Sequence, residues 1–135
     1  MPTKIFVNLP VKDLKKSIEF FTALGYTFNP NFTDETATCM IISEEIYAML
    51  MTEAKFKTFV PYAVCDTKKS KEVLLCLTVD NRQSVDDMVA KAVKAGGSTY
   101  SAPQDHGFMY GHGFQDLDGH IWEYFYMDPA AVPAD

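Results

Sequence analysis

The chain has only three cysteines in 135 residues, set far apart at Cys39, Cys65 and Cys76. No C-x-x-C pair is present, so no zinc knuckle is indicated, and an odd number of scattered thiols gives no disulfide framework. Cys39 and Cys76 fall inside apolar runs and read as buried reduced thiols. Basic residues are scarce too: 12 Lys+Arg against 18 Asp+Glu leave a net charge of −6. Nucleic acid and anionic membranes both need a basic surface, so neither is an expected partner. No apolar run approaches the about 20 residues that a membrane-spanning helix requires. The start, Met1-Pro2-Thr3-Lys4-Ile5-Phe6-Val7, enters strand-like sequence with no signal-peptide core, which predicts a cytoplasmic location. A G-x-S-x-G elbow and a phosphate-cradling glycine loop are both missing, which removes the usual marks of a hydrolase or a nucleotide binder.

What is present is an ordinary balance for one globular domain, 47% hydrophobic and 22% charged residues. Lys4 to Val11 reads as a strand, and Asp13 caps a predicted helix reaching Leu24 with an apolar stripe of Leu14, Ile18 and Phe21. Gly25 ends it. Strand-like runs follow at Tyr26–Asn31, Thr36–Ser43 and Ile46–Thr52. After a less periodic stretch the order repeats. Val73–Val79 is strand-like, Arg82–Ala95 reads as a helix with Val85, Met88, Val89 and Ala92 on one face, and Gly96-Gly97 stops it. Strands are predicted near Ser98–Ser101, Met109–Gln115 and Ile121–Met127. Ser17-Ile18 recurs as Ser84-Val85 67 positions on, and the run from Glu45 recurs from Gly119 after 74. Both halves spell β-α-β-β-β, a supersecondary unit used twice. The predicted fold class is α+β, with module one over 3–53, a linker over 54–71 and module two over 72–128 of a single domain spanning 1–135. One helix cannot cover both faces of a four-stranded sheet, so two modules are expected to form a curved mixed sheet with outer helices and a concave cavity.

The run Asp116-Leu117-Asp118-Gly119-His120-Ile121-Trp122-Glu123-Tyr124-Phe125 carries the most information. Asp and Gly supply a turn, and strong strand formers follow with Glu123 as the one charge among them. This run resembles the last hairpin of the vicinal oxygen chelate superfamily, which includes glyoxalase I, bleomycin-resistance proteins and extradiol dioxygenases. Within that superfamily the chain looks most like uncharacterised proteins termed predicted lactoylglutathione lyases. The resemblance implies metal ligands on the first and last strand of each module. Those four places fall here on Phe6, Met49, Leu74 and Glu123. A divalent metal draws about three or four His, carboxylate or thiolate groups, and only Glu123 is one of these. No metal or other cofactor is therefore expected, with a divalent metal on displaced ligands such as His106, His112 and Glu123 as the runner-up.

Counting outward from a turn at Asp116–Gly119 sets His112 opposite Glu123 and Tyr110 opposite Phe125. Opposed residues share a sheet face with Cβ atoms about 5 Å apart. A carboxylate beside an imidazole fixes its tautomer, which suits a general acid or base, so His112 and Glu123 are the candidate catalytic pair. Alternation places Asn8 beside Phe6, Tyr47 and Met51 beside Met49, and Cys76 beside Leu74. The expected ligand-binding surface thus comprises Phe6, Asn8, Tyr47, Met49, Met51, Leu74, Cys76, Tyr110 and Phe125. His106 reads as a loop residue and His120 as a turn-edge residue.

Three function classes stay open at this stage. The first is a metal-free binder of a small, partly apolar or aromatic molecule. The second is an enzyme moving protons with His112 and Glu123. The third is a metal-dependent lyase or dioxygenase. Homodimer formation is also expected, since sheets of this kind leave strand edges to cover and the tail Met127–Val132 is apolar-rich.

Overall fold

A computed structural model describes residues 2–130. Ala131 and Val132, the end of the apolar tail, lie outside the described residues. The chain forms two compact units divided between Asp66 and Thr67. Each is a βαβββ module with its own four-stranded sheet.

The first unit runs β1 (Ile5–Val11), α1 (Leu14–Ala23), β2 (Thr27–Asn29), a 3-10 turn (Pro30–Phe32), β3 (Ala37–Ile41), β4 (Ile46–Thr52) and α2 (Glu53–Lys57). Its sheet order is β1-β4-β3-β2, with β1 parallel to β4 and the other pairs antiparallel. Asp13 caps α1 by accepting the Lys16 N–H at 3.1 Å. The buried face of α1 carries Leu14, Ser17, Phe20 and Phe21, so Ser17 sits inside the stripe where the sequence pattern favoured Ile18. Strand alternation puts Leu9, Val11, Met40, Ala48 and Leu50 on the face that packs with this helix, and all are buried. The stretch predicted as irregular linker begins with α2, capped by the Thr52 hydroxyl on the Lys55 N–H.

The second unit runs β5 (Leu74–Thr78), α3 (Arg82–Lys94), β6 (Gln104–Asp105), β7 (Met109–Gln115) and β8 (Ile121–Met127), ordered β5-β8-β7-β6. Again the first strand is parallel to the last. Val85, Val89 and Ala92 of α3 are buried with Phe114, Trp122 and Tyr124 of the sheet. The two long helices end alike. Tyr26 N–H reaches the Phe21 carbonyl after Gly25 (φ 103°), and Gly97 N–H reaches the Ala92 carbonyl after Gly96 (φ 113°).

The strand expected near Ser98–Ser101 is not formed. Ser98 makes one isolated bridge to Gln115, and regular pairing resumes only at Gln104–Asp105. Pro103 explains the interruption, since it offers no N–H and restricts the residue before it. Residues 99–103 therefore make no regular ladder with β7. No helix among the described residues is long and apolar enough to cross a membrane.

Candidate functional site

The register between β7 and β8 corrects the main sequence expectation. His112 lies opposite Tyr124, and Gly113, not His112, lies opposite Glu123. Tyr110 pairs with Tyr126 rather than Phe125. The cause is the connecting loop, which holds five residues instead of four. The Asp116 N–H bonds the His120 carbonyl at 3.0 Å, and the Asp116 carboxylate accepts the N–H groups of Asp118 and His120. A one-residue slip sends every side chain of one strand to the other face. His112 and Tyr110 accordingly point to the helix side, where the Tyr110 hydroxyl donates to Asp86 of α3 at 2.6 Å. His112 Nε2 lies 2.8 Å from the Ser101 carbonyl, which can only accept, so this nitrogen carries the hydrogen. His112 and Glu123, the expected proton-transfer pair, are thus not cross-strand partners, although both border the same cavity. His120, expected at the turn edge, is buried inside the turn.

The helix-free face of the second unit carries Leu74, Cys76, Glu123 and Phe125, with Gly111 and Gly113 from β7. A cavity of about 220 Å³ opens here, lined among others by Cys76, Gly111, His112, Gly113, Glu123 and Phe125. Leu74 stands beyond it, half exposed. The Cys76 thiol donates to Glu123 Oε1 at 3.7 Å, and the Tyr100 hydroxyl donates to Glu123 Oε2. Cys76, expected to be buried, is exposed; the partial desolvation it has and then the carboxylate push its thiol up, so it stays protonated at neutral pH. Burial first, then its bond to Glu123, raises the Tyr100 phenol as well. Glu123 therefore holds two neutral donors that do not readily release their protons.

Tyr100 was not foreseen, and Gly113 is what admits it. A Cβ at Gly113 would lie 2.7 Å from the Tyr100 hydroxyl oxygen and 2.8 Å from Glu123 Cγ. The available signal was the alternation Gly111-His112-Gly113 inside a strand, because glycine there marks a close approach.

In the first unit the helix-free face carries Phe6, Asn8, Cys39, Tyr47, Met49 and Met51. Phe6 and Tyr47 are stacked, with centroids 4.7 Å apart and planes 10° apart. They bound a cavity of about 300 Å³ with Lys4, Asn29, Phe32, Cys39 and Met49. Asn8 turns back to bond the Phe6 carbonyl at 3.0 Å, and Met51 is buried, so neither lines it. Asn8 and Met49 are neighbours in the first sheet as Cys76 and Glu123 are in the second. The two matching positions thus differ in polarity: one is apolar, the other holds a carboxylate.

The residues present do not fit a divalent metal. Of Phe6, Met49, Leu74 and Glu123 only the last offers a hard donor, and both its oxygens already accept hydrogen bonds. No three His, Cys, Asp or Glu side chains converge among the described residues. The displaced set of His106, His112 and Glu123 is likewise not gathered. His106 is exposed, with Nε2 3.4 Å from Gln104 Oε1, and His112 is on the opposite face from Glu123.

Residues 3–43 match the family model described as bleomycin resistance protein-like N-terminal. A hypothetical protein from S. aureus is 30% identical, with 93% of this chain and 95% of that one covered at a TM-score of 0.78. A glyoxalase-related enzyme from Fulvimarina pelagi is 20% identical over 93% of this chain and 88% of its own, at a TM-score of 0.79. A glyoxalase/bleomycin resistance protein/dioxygenase family enzyme from Burkholderia phytofirmans is 16% identical over 90% and 96%, at a TM-score of 0.75. No curated protein sequence matches the chain. With the tandem βαβββ modules and their parallel first and last strands, these similarities show that the chain belongs to the vicinal oxygen chelate superfamily of glyoxalase, bleomycin-resistance and dioxygenase proteins.

Proposed function

We propose that this protein binds a small, partly apolar or aromatic molecule against the helix-free faces of its sheets, without a divalent metal. The observation that carries this reading is the content of the four ligand-equivalent positions. Phe6, Met49 and Leu74 offer apolar surface where a metal would need donors, while Glu123 is engaged by Cys76 and Tyr100. Apolar walls with a few placed polar groups are the usual make-up of a small-molecule pocket. Elemental analysis of untagged protein, purified without chelator, is expected to find no stoichiometric divalent metal. Added Ni²⁺, Zn²⁺ or Mn²⁺ should leave the thermal midpoint unchanged, since a ligand that binds only the folded state would raise it. One equivalent of bound metal, lost in Glu123→Gln, would overturn the reading.

The same reading includes a homodimer. β1 and β5 are each the end strand of their own sheet, and Ile5, Val73 and Leu74 on or beside them are 53%, 57% and 49% exposed. Apolar edge strands of this kind call for a covering partner. Light scattering at micromolar concentration should return twice the chain mass of 15.2 kDa. A monomer mass at that concentration would contradict it.

A further inference from the structure

The first unit's cavity has a one-sided chemistry that narrows what it can hold. We propose that it is a binding site for a planar aromatic anion, such as an aromatic carboxylate. This rests on the reading of the helix-free faces as small-molecule surfaces and goes further, by assigning ring and charge to named residues.

The ring is assigned by Phe6. Its stack on Tyr47 is nearly parallel, at 10°, and the Tyr47 hydroxyl is anchored on the Glu44 carbonyl at 2.8 Å. Phe6 remains 49% exposed, and Phe32, 65% exposed, lines the same cavity. A fixed flat ring with an open side offers a third ring an offset stack, worth about 0.5–1.5 kcal/mol beyond area burial. The cavity's about 300 Å³ reaches the lower end of the about 300–1,000 Å³ usual for small-molecule sites.

The charge is assigned by what the polar lining groups are. The Lys4 ammonium stands 5.7 Å from the Tyr47 centroid and has no carboxylate partner among the described residues. Asn29 accepts the Asn31 N–H through Oδ1 at 2.9 Å, which fixes its amide and leaves Nδ2 as a donor. The buried Cys39 thiol is pushed up by its burial and stays neutral. No acidic side chain lines the cavity, although the whole chain carries a net charge of −6. A cation and an amide donor beside an aromatic platform, with no acid in the lining, match a ligand that brings a ring and a negative acceptor together.

The test titrates the full chain with 2-naphthoate and with the neutral 2-naphthalenemethanol by calorimetry. Naphthoate should bind once per chain and roughly fivefold more tightly than the alcohol, as a partly exposed ion pair allows. Lys4→Gln should erase that preference, and Phe6→Leu should weaken both ligands roughly fivefold with the thermal midpoint preserved. Phe32→Ser, a change at a more exposed ring, should weaken both as well. Equal binding of the two ligands to the wild type, or a preference that survives Lys4→Gln, overturns the inference but leaves the small-molecule reading standing. Binding that is lost in Gly113→Ala and untouched by Phe6→Leu moves the site to the second unit and overturns the inference in the same way. Failure of both naphthalenes to bind defeats the aromatic anion site, whereas a stoichiometric metal on Glu123 defeats the broader reading, so the two failures are distinct.

Discussion

Asp116→Ala is expected to lower the unfolding free energy by roughly 3 kcal/mol. Asp116 is only 7% exposed. One carboxylate oxygen accepts the Asp118 and His120 N–H groups at 2.9 and 3.0 Å, and the other accepts the Trp122 indole N–H at 3.0 Å. Removing the acceptor strands these donors, and a buried unsatisfied donor costs about 1–3 kcal/mol. The indole cannot turn to water, because Trp122 is fully buried. Asp116→Asn is milder, since its amide oxygen can keep the two backbone donors, and only the indole bond is lost where the NH₂ faces the Trp122 N–H, donor against donor. Urea unfolding of the three proteins measures the order, and a loss in Asp116→Ala below about 1 kcal/mol would contradict the anchoring role. The sign with pH is also fixed. Burial raises the carboxyl pKa above its usual value, against the opposing pull of His120 and the N–H donors. A raised pKa gives stability that is complete below the unfolded value of about 3.9 and is lost as pH rises through the folded one. The wild type's margin over Asp116→Asn should therefore be widest in acid and narrow as pH rises.

This anchor also explains where the sequence was legible and where it was not. The two long helices, the strands Ile46–Thr52, Met109–Gln115 and Ile121–Met127, and the doubled βαβββ order follow from local periodicity and glycine stops, and the structure has them at those places, whereas the short α2 lies in the predicted linker. The turn between β7 and β8 was also legible as a turn. Its length was not, because Asp-Leu-Asp-Gly reads as a four-residue connection, whereas the Asp116 side chain draws His120 into the loop. That choice is made by a carboxylate reaching into the core for Trp122, a tertiary contact with no local sequence mark. Its consequence is large because the strand period is two. Phe6, Met49, Leu74, Cys76, Glu123 and Phe125 keep the helix-free face, while His112 and Tyr110 leave it. Tyr100 was out of reach for a related reason. It lies on a stretch predicted as strand, which makes only the Ser98 bridge, and the Tyr100 hydroxyl reaches Glu123 from outside any regular ladder.

Gly113→Ala is the second large expected effect, and it tests the Tyr100–Glu123 contact without touching either residue. The added Cβ would sit 2.9 Å from the Trp122 carbonyl oxygen, which belongs to the backbone and cannot swing aside. Overpacking of this kind costs about 1–3 kcal/mol. Part of the strain can be relieved by the Tyr100 hydroxyl, 2.7 Å from the same Cβ, moving off the carboxylate. The phenol then loses both causes that hold its pKa up, its burial and its bond to Glu123. It should ionise near the ordinary tyrosine value of about 10. The chain has seven tyrosines, so the readout is the number that ionise near that pH by ultraviolet absorbance. Gly113→Ala should show one more such phenol than the wild type. Adding Tyr100→Phe should remove that phenol from the Gly113→Ala protein but take none away from the wild type. Tyr110 is also raised, chiefly by its bond to Asp86, but that bond lies on the helix side and should be common to all four proteins. If the count is the same in wild type and Gly113→Ala, the glycine does not make room for the tyrosine, and Glu123 is not held in the way described.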